Sequence, residues 1–156
     1  MRPSNKVIFS ILSWLALFQT PAIAQNQYEK FIDEQLEALC FHTECDWGYL
    51  HLNRFIGYGA EGSVHSHSID LTEGWDYIIP AVCDQDCGDI DLFLYDPNGA
   101  LVASDTSVQR YQDFSTTNAE IEITSTSGGA FRIDVKIHSC STSTCYYGVD
   151  VGTAVW

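Results

Sequence analysis

The period of the apolar residues changes at Gly62, and this change most constrains the fold. Downstream of it, short runs alternate apolar and polar side chains, a period typical of strands with one buried face. Turn-forming residues separate the runs, as in the Asp-Pro-Asn-Gly stretch at 96–99. About seven or eight short strands with turns between them predict an all-β antiparallel sandwich. The predicted strands are 64–71, 75–82, 89–95, 101–103, 119–124, 130–137 and 146–151.

Upstream of Gly62 the pattern is different. Apolar residues between Tyr28 and Phe41 recur at helical spacing, with acidic residues on the other face, and this predicts one amphipathic N-terminal helix. A lone helix of this length is marginal in water, so we expect it to pack on the sandwich. The following segment, 49–58, is aromatic without a clear period and is predicted to be irregular.

The chain begins with the features of a secretory signal peptide. Arg2 and Lys6 precede an apolar run, and Ala22-Ile23-Ala24 offers small residues for cleavage, so 1–24 is predicted to be removed. The apolar run is short for a membrane anchor. We therefore expect a periplasmic or extracellular protein with 25–62 as the helix and aromatic loop and 63–156 as the sandwich.

Charge narrows the choice of partner. The formal net charge is −14, and the predicted signal peptide carries basic but no acidic residues, so the exported protein is more acidic still. Nucleic acids and anionic membranes attract positive proteins and are not expected as partners. A basic protein or a metal cation remains compatible with this charge.

The six cysteines form three pairs that are close in sequence. Export places them where disulfides persist, and local pairing is the simplest of the connectivities that six cysteines allow. Zinc binding is the alternative, but the spacers are longer than in a CxxC knuckle. The pairs are Cys40 with Cys45, Cys83 with Cys87, and Cys140 with Cys145.

The segment DIDLFLYDPNGALVASD, residues 89–105, lies between WDYIIPAV upstream and GGAFRIDVKI and YYGVDV downstream. These segments resemble the bacterial pre-peptidase C-terminal domain family, to which the collagen-binding domains of clostridial collagenases are related. The resemblance covers roughly 64–151 and implies a jelly-roll β-sandwich. It also implies a non-catalytic module that assists secretion or binds a target, with calcium in some members. The N-terminal helix and the cysteine pairs are not required by that family.

Four aspartates crowd the loop and strand around Cys87. Oxygen-rich clusters of this kind suit Ca2+, so we hypothesise a calcium site here, although the spacing fails the EF-hand pattern. The alternative is that one aspartate caps a turn and the others are solvated. The candidate ligands are Asp84, Asp86, Asp89 and Asp91.

Other candidate sites receive less support from the sequence. His65, His67 and His138 have the chemistry of a zinc or copper site, but exposed polar positions on a sheet explain them more simply. The Gly59–Ser63 segment is not a GxSxG elbow, so we do not expect an enzyme. The predicted function is an exported, non-catalytic accessory module that binds a protein or polysaccharide. The alternatives are a secreted hydrolase with a His/Asp site and a small outer-membrane β-barrel that ends at Trp156.

Overall fold

Two four-stranded antiparallel sheets pack face to face in the computed structural model, which describes residues 21–42, 49–108 and 119–154. One helix, α1, covers part of the first sheet. The elements are α1 (Pro21–His42), β1 (Tyr49–Gly59), β2 (Val64–Leu71), β3 (Asp76–Cys83), β4 (Cys87–Tyr95), β5 (Leu101–Asp105), β6 (Ala119–Thr124), β7 (Gly129–Cys140) and β8 (Cys145–Ala154).

The strand pairing has the form of one long antiparallel ribbon folded on itself. β1 pairs with β8, β2 with β7, β3 with β6, and β4 with β5. Folding the ribbon adds the pairs β3 with β8 and β4 with β7. The sheets therefore run β1-β8-β3-β6 and β2-β7-β4-β5, which is the jelly-roll arrangement. The predicted sandwich with one helix is confirmed.

The core lies between the sheets and is filled by the inward members of each alternation. On β4, Ile90, Leu92 and Leu94 have no exposed surface, and β7 contributes Ile133 and Val135 in the same way. Burial of such apolar side chains contributes about 1.5–3 kcal/mol each. The strand alternation read from the sequence therefore identifies the core face correctly.

The prediction that 49–58 is irregular was wrong, because this segment is strand β1. A register shift between His51 and Asn53 interrupts the alternation of side chains along the strand. In addition, both faces are partly covered, since Phe55 packs against the core and Arg54 contacts the helix. A strand that is half-buried on both faces and bulged shows no simple period of two.

Helix α1 packs on the outer face of the first sheet. Ile32 and Leu36 are buried and form a separate apolar cluster with Val82 of β3. The helix spans Pro21–His42, so it is longer than predicted and includes 21–24. Residues 1–20 lie outside the described residues, and the signal peptide stays a prediction. In the described part of the chain, no helix combines the length and apolarity that crossing a membrane requires.

Two of the predicted local disulfides are present. Cys83 is bonded to Cys87, and Cys140 is bonded to Cys145. Such bridges persist outside the reducing cytosol, in agreement with export. The predicted bridge from Cys40 to Cys45 lies outside the described residues, because Cys45 falls within 43–48.

The close contact between α1 and β8 depends on Gly148. A Cβ atom at this position would lie 2.8 Å from Leu36 Cδ1 and closer still to Ile32, both of which are buried. We therefore predict that Gly148→Ala lowers the free energy of unfolding by about 1–3 kcal/mol through overpacking. Urea denaturation followed by circular dichroism measures this change.

Gly128→Ala is the matched control. A Cβ atom there would have its nearest neighbours at 3.8 Å, which is ordinary contact. Its effect should stay within about 0.5 kcal/mol. Equal effects of the two substitutions would show that α1 does not depend on close approach at Gly148.

Candidate functional site

A cleft opens where the edge strands of the two sheets meet. β1 is an edge of the first sheet and β2 an edge of the second, and the short turn at 60–63 connects them. The cleft has a volume of about 490 Å³, and α1 contributes to its rim. Its polar and aromatic lining includes Glu29, Tyr58, His65, His67, Tyr146 and Tyr147.

Three tyrosines form a continuous aromatic surface at this cleft. The rings of Tyr28 and Tyr146 are stacked, with centroids 4.5 Å apart and an angle of 3° between the planes. Tyr58 lies against the same ring at 5.4 Å. Tyr28 is 38% exposed and Tyr58 is 52% exposed. One ring thus comes from helix α1, one from strand β1 and one from strand β8. We call Tyr28, Tyr58 and Tyr146 together the tyrosine surface.

Beneath this surface, two histidines surround a buried tyrosine. His67 Nε2 lies 3.0 Å from the Tyr147 hydroxyl, and His67 stacks on Phe55 at 4.5 Å. His65 contacts the same Tyr147 ring at 5.4 Å. Burial raises the pKa of Tyr147 to about 12, so its hydroxyl keeps its proton at neutral pH. Burial and the neighbouring His65 lower the pKa of His67, which favours its neutral form.

The glycine at position 57 allows this arrangement. A Cβ atom there would clash with the Tyr147 ring, at 2.8 Å from Cε1 and closer to the hydroxyl. The Tyr147 ring therefore lies across its neighbouring strand β1 at Gly57, and any side chain there would displace either the ring or the strand.

A serine and a histidine lie side by side at the cleft. His65 Nε2 is 3.1 Å from Ser63 Oγ, a distance compatible with a nucleophile and its base. However, the Ser63 hydroxyl donates its proton to the Ala60 carbonyl at 2.6 Å. His65 therefore serves as the donor to Ser63 in this arrangement. The contact closes the turn between β1 and β2.

A second cluster of polar side chains lies on the outer face of the second sheet. Ligand atoms of Asp89, Asp91 and His138 all lie within 4.8 Å of one another. Asp91 Oδ2 is 3.4 Å from His138 Nδ1 and 3.5 Å from Lys136 Nζ. The pairing of β4 with β7 creates this proximity, since Asp91 is opposite Lys136 in the register.

Asp89 is the unusual member of this cluster. It is 3% exposed, and its Oδ1 accepts no hydrogen bond within the described part of the chain. Burial raises its pKa, and the nearby Asp91 carboxylate adds to the shift. A buried carboxylate oxygen without a partner is energetically unfavourable and rare in native structures.

The other two predicted ligands, Asp84 and Asp86, are not part of this group in the described part of the chain. Asp84 accepts hydrogen bonds from the backbone N–H groups of Cys87, at 3.1 Å, and Tyr146, at 3.0 Å, one on each carboxylate oxygen. Asp84 is thus a buried cap, the alternative expected for one of the four aspartates. The Asp86 carbonyl accepts from the Ser141 backbone N–H at 2.8 Å.

The three histidines do not come together. His65 and His67 line the cleft, whereas His138 lies with Asp91 on the outer face of the second sheet. Sequence reasoning did not link His138 to the aspartates, because only the register of β4 and β7 brings them together. The tyrosine surface was also missed, since its rings come from α1, β1 and β8.

Comparisons with known proteins do not assign this chain to a family. No protein-family model matches the chain, and no curated protein matches it. A similar solved structure is PliG of Aeromonas hydrophila, a periplasmic lysozyme inhibitor of g-type lysozyme. The identity is 9%, the TM-score is 0.48, and the match covers 66% of this chain and 86% of that one. Similarity at this level does not indicate a shared function.

The histidine pair predicts a pH dependence of stability. The folded state holds the pKa of His67 below the ordinary value of 6.5, mainly through burial. The contribution of neutral His67 to the free energy of unfolding is therefore complete above pH 6.5. It falls as the pH decreases toward the folded pKa, because the unfolded state binds the proton more readily. When the pH is lowered from 7.5 to 5.5, we expect the free energy of unfolding to fall less in His67→Gln than in the wild type. Urea denaturation at the two pH values measures the difference.

His65→Gln is the matched control in the same strand. This variant leaves His67 in place, so its stability should keep most of the wild-type pH dependence. The dependence should be only slightly smaller, because His65 makes the lesser contribution to the lowered pKa of His67. Identical pH dependence of His67→Gln and wild type would contradict the assigned environment of His67.

Proposed function

We propose that this chain is an exported, non-catalytic binding module whose cleft holds a lysine or arginine side chain of a protein target. The observation that carries the proposal is the tyrosine surface of Tyr28, Tyr58 and Tyr146, next to the Glu29 carboxylate. Aromatic faces attract cations through the ring quadrupole, and a nearby carboxylate strengthens that attraction.

The charge distribution supports a basic partner. In the described part of the chain, each lysine and arginine lies within salt-bridge distance of at least one carboxylate, and Arg54 contacts three of them. The acidic residues outnumber these cations by far, since the net charge is −14. The surface field is therefore negative and accelerates the approach of a positive protein.

The same chemistry already occurs within the molecule. The Arg132 guanidinium lies over the Tyr95 ring, 4.2 Å from its centroid, and also pairs with Asp134. A tyrosine face with an adjacent carboxylate thus holds a cation on the second sheet. The cleft offers a similar combination with more exposed rings, and it has no lysine or arginine among its lining residues.

A binding role also accounts for the polar groups in the cleft better than catalysis does. Ser63 donates its hydroxyl proton to a backbone carbonyl, and His67 Nε2 is engaged with the Tyr147 hydroxyl. These contacts hold the turn and the cleft floor in place. The exposed tyrosine rings are the surface left for a partner.

We also propose a relationship to the pre-peptidase C-terminal domains. The jelly-roll order supports it, as does the position of DIDLFLYDPNG, which supplies most of β4 and the turn into β5. In that turn, Asp96 Oδ1 accepts from the backbone N–H groups of Asn98, at 2.9 Å, and Ala100, at 2.8 Å. These hydrogen bonds lower the pKa of Asp96 and explain the need for an aspartate there.

Selection from a random peptide library displayed on phage tests the proposed function. We expect the selected peptides to be enriched in arginine and lysine, and to bind more weakly as salt is increased. Tyr58→Ala should weaken binding of a selected peptide by about 0.5–2 kcal/mol, the range of a cation–π contact. Isothermal titration calorimetry measures the affinity.

Trp75→Ala is the matched control, because Trp75 is also exposed, at 48%, but lies in the turn between β2 and β3. It should leave the affinity unchanged. Selection of peptides without basic residues, or equal losses for both variants, would count against a cation-binding cleft.

A further inference from the structure

The geometry points to a zinc site on the outer face of the second sheet, with Asp89, Asp91 and His138 as protein ligands. This site is separate from the cleft, and the inference does not depend on the proposed binding function. Strand β4 supplies the two carboxylates from alternate positions on one face, and β7 supplies the imidazole. Three protein ligands with one open position are typical of zinc centres that also bind water.

The distances between the candidate ligands fit one small cation. Zinc binds nitrogen and oxygen ligands at about 2.0–2.1 Å, so two ligand atoms of a tetrahedral site lie about 3.3 Å apart. His138 Nδ1 and Asp91 Oδ2 are 3.4 Å apart. The ligand atom of Asp89 lies within 4.8 Å of both, so a small rotation of its side chain completes the set.

The second, independent observation is the state of Asp89. Asp89 is only 3% exposed, and its Oδ1 has no hydrogen-bond partner in the described part of the chain. The Asp91 carboxylate on the same strand repels it, and His138 offsets part of this repulsion. A divalent cation bound between the two carboxylates would give Asp89 Oδ1 a partner and would remove the repulsion between the carboxylates.

There is room for an ion and a water molecule beside these groups. A cavity of about 330 Å³ adjoins the cluster and is lined by Gly88, Asp89, Val108, His138 and Ser139. His138 is about half exposed, so an ion can enter from solvent. Lys136 now pairs with Asp91, but its side chain is 36% exposed and can turn outward when a cation takes its place.

The ligand types favour zinc over calcium. Calcium selects oxygen ligands and takes six to eight of them, whereas imidazole is a common ligand of zinc. Of the aspartates in the hypothesised calcium site, Asp84 already uses both carboxylate oxygens for backbone N–H groups. Asp89, Asp91 and His138 therefore form a more suitable set of ligands than the four aspartates, and they suit zinc rather than calcium.

Titration of EDTA-treated, dialysed protein with ZnCl2, followed by calorimetry and thermal unfolding, tests the inference. We expect one Zn2+ per chain and a rise in the melting temperature. Asp89→Asn and His138→Ala should each weaken Zn2+ binding by at least about tenfold. NMR of the imidazole nitrogens should show Nδ1 of His138 shifted on zinc binding, a signal that a purely structural role would not produce.

Two controls keep the result interpretable. Metal-free Asp89→Asn should be at least as stable as the wild type, because it removes an unpartnered buried charge, so lost binding cannot be attributed to unfolding. Asp86→Asn should bind Zn2+ like the wild type. Equal zinc affinity of Asp89→Asn and wild type would overturn the inference. It would also be overturned if the protein bound Ca2+ more tightly than Zn2+ and Asp86→Asn abolished that Ca2+ binding. Peptide binding in the cleft should persist in EDTA, so the two proposals can fail separately.

Discussion

The buried carboxylate of Asp150 requires the first and last strands to pair. Asp150 is 1% exposed, and its Oδ2 accepts from Arg54 Nη2 at 3.0 Å and lies 2.8 Å from His51 Nδ1. Arg54 stands opposite Asp150 in the β1–β8 register and also contacts Asp33 of the helix. Asp150 is buried, whereas Arg54 keeps 26% of its side-chain surface exposed, so solvent screens part of the attraction. Any other register would still leave the Asp150 carboxylate buried without a cation, and the contact therefore favours this one.

The cleft and the helix position follow from that pairing. With β1 held beside β8, the edges of the two sheets meet at the turn from β1 to β2, and the space between them forms the cleft. The contact from Arg54 to Asp33 then orients α1, which brings Tyr28 onto Tyr146 and Glu29 to the rim. One ion-pair network therefore links the register of a sheet to the lining of the cleft.

The parts of the structure that the sequence predicts are those that local pattern determines. Alternation along β4 and β7 identified the core face, and the short spacing of Cys83 and Cys87 favoured their bridge. Strand β1 was missed because its alternation is interrupted after His51 and both of its faces are partly covered. The convergence of Asp91 and His138 depends on the register between β4 and β7, which no local pattern encodes.

Tyr146 shows how the fold prepares a surface in advance of binding. Its backbone N–H donates to Asp84 Oδ2 and its carbonyl accepts from the Asp84 N–H, both at 3.0 Å. Asp84 lies in the loop closed by the Cys83–Cys87 bridge, while the residue preceding Tyr146 is Cys145 of the second bridge. The backbone that carries the central ring of the tyrosine surface is thus held between two loops, each closed by a disulfide. Little conformational freedom therefore remains at this position, so ordering it would add little to the entropic cost of any contact made there.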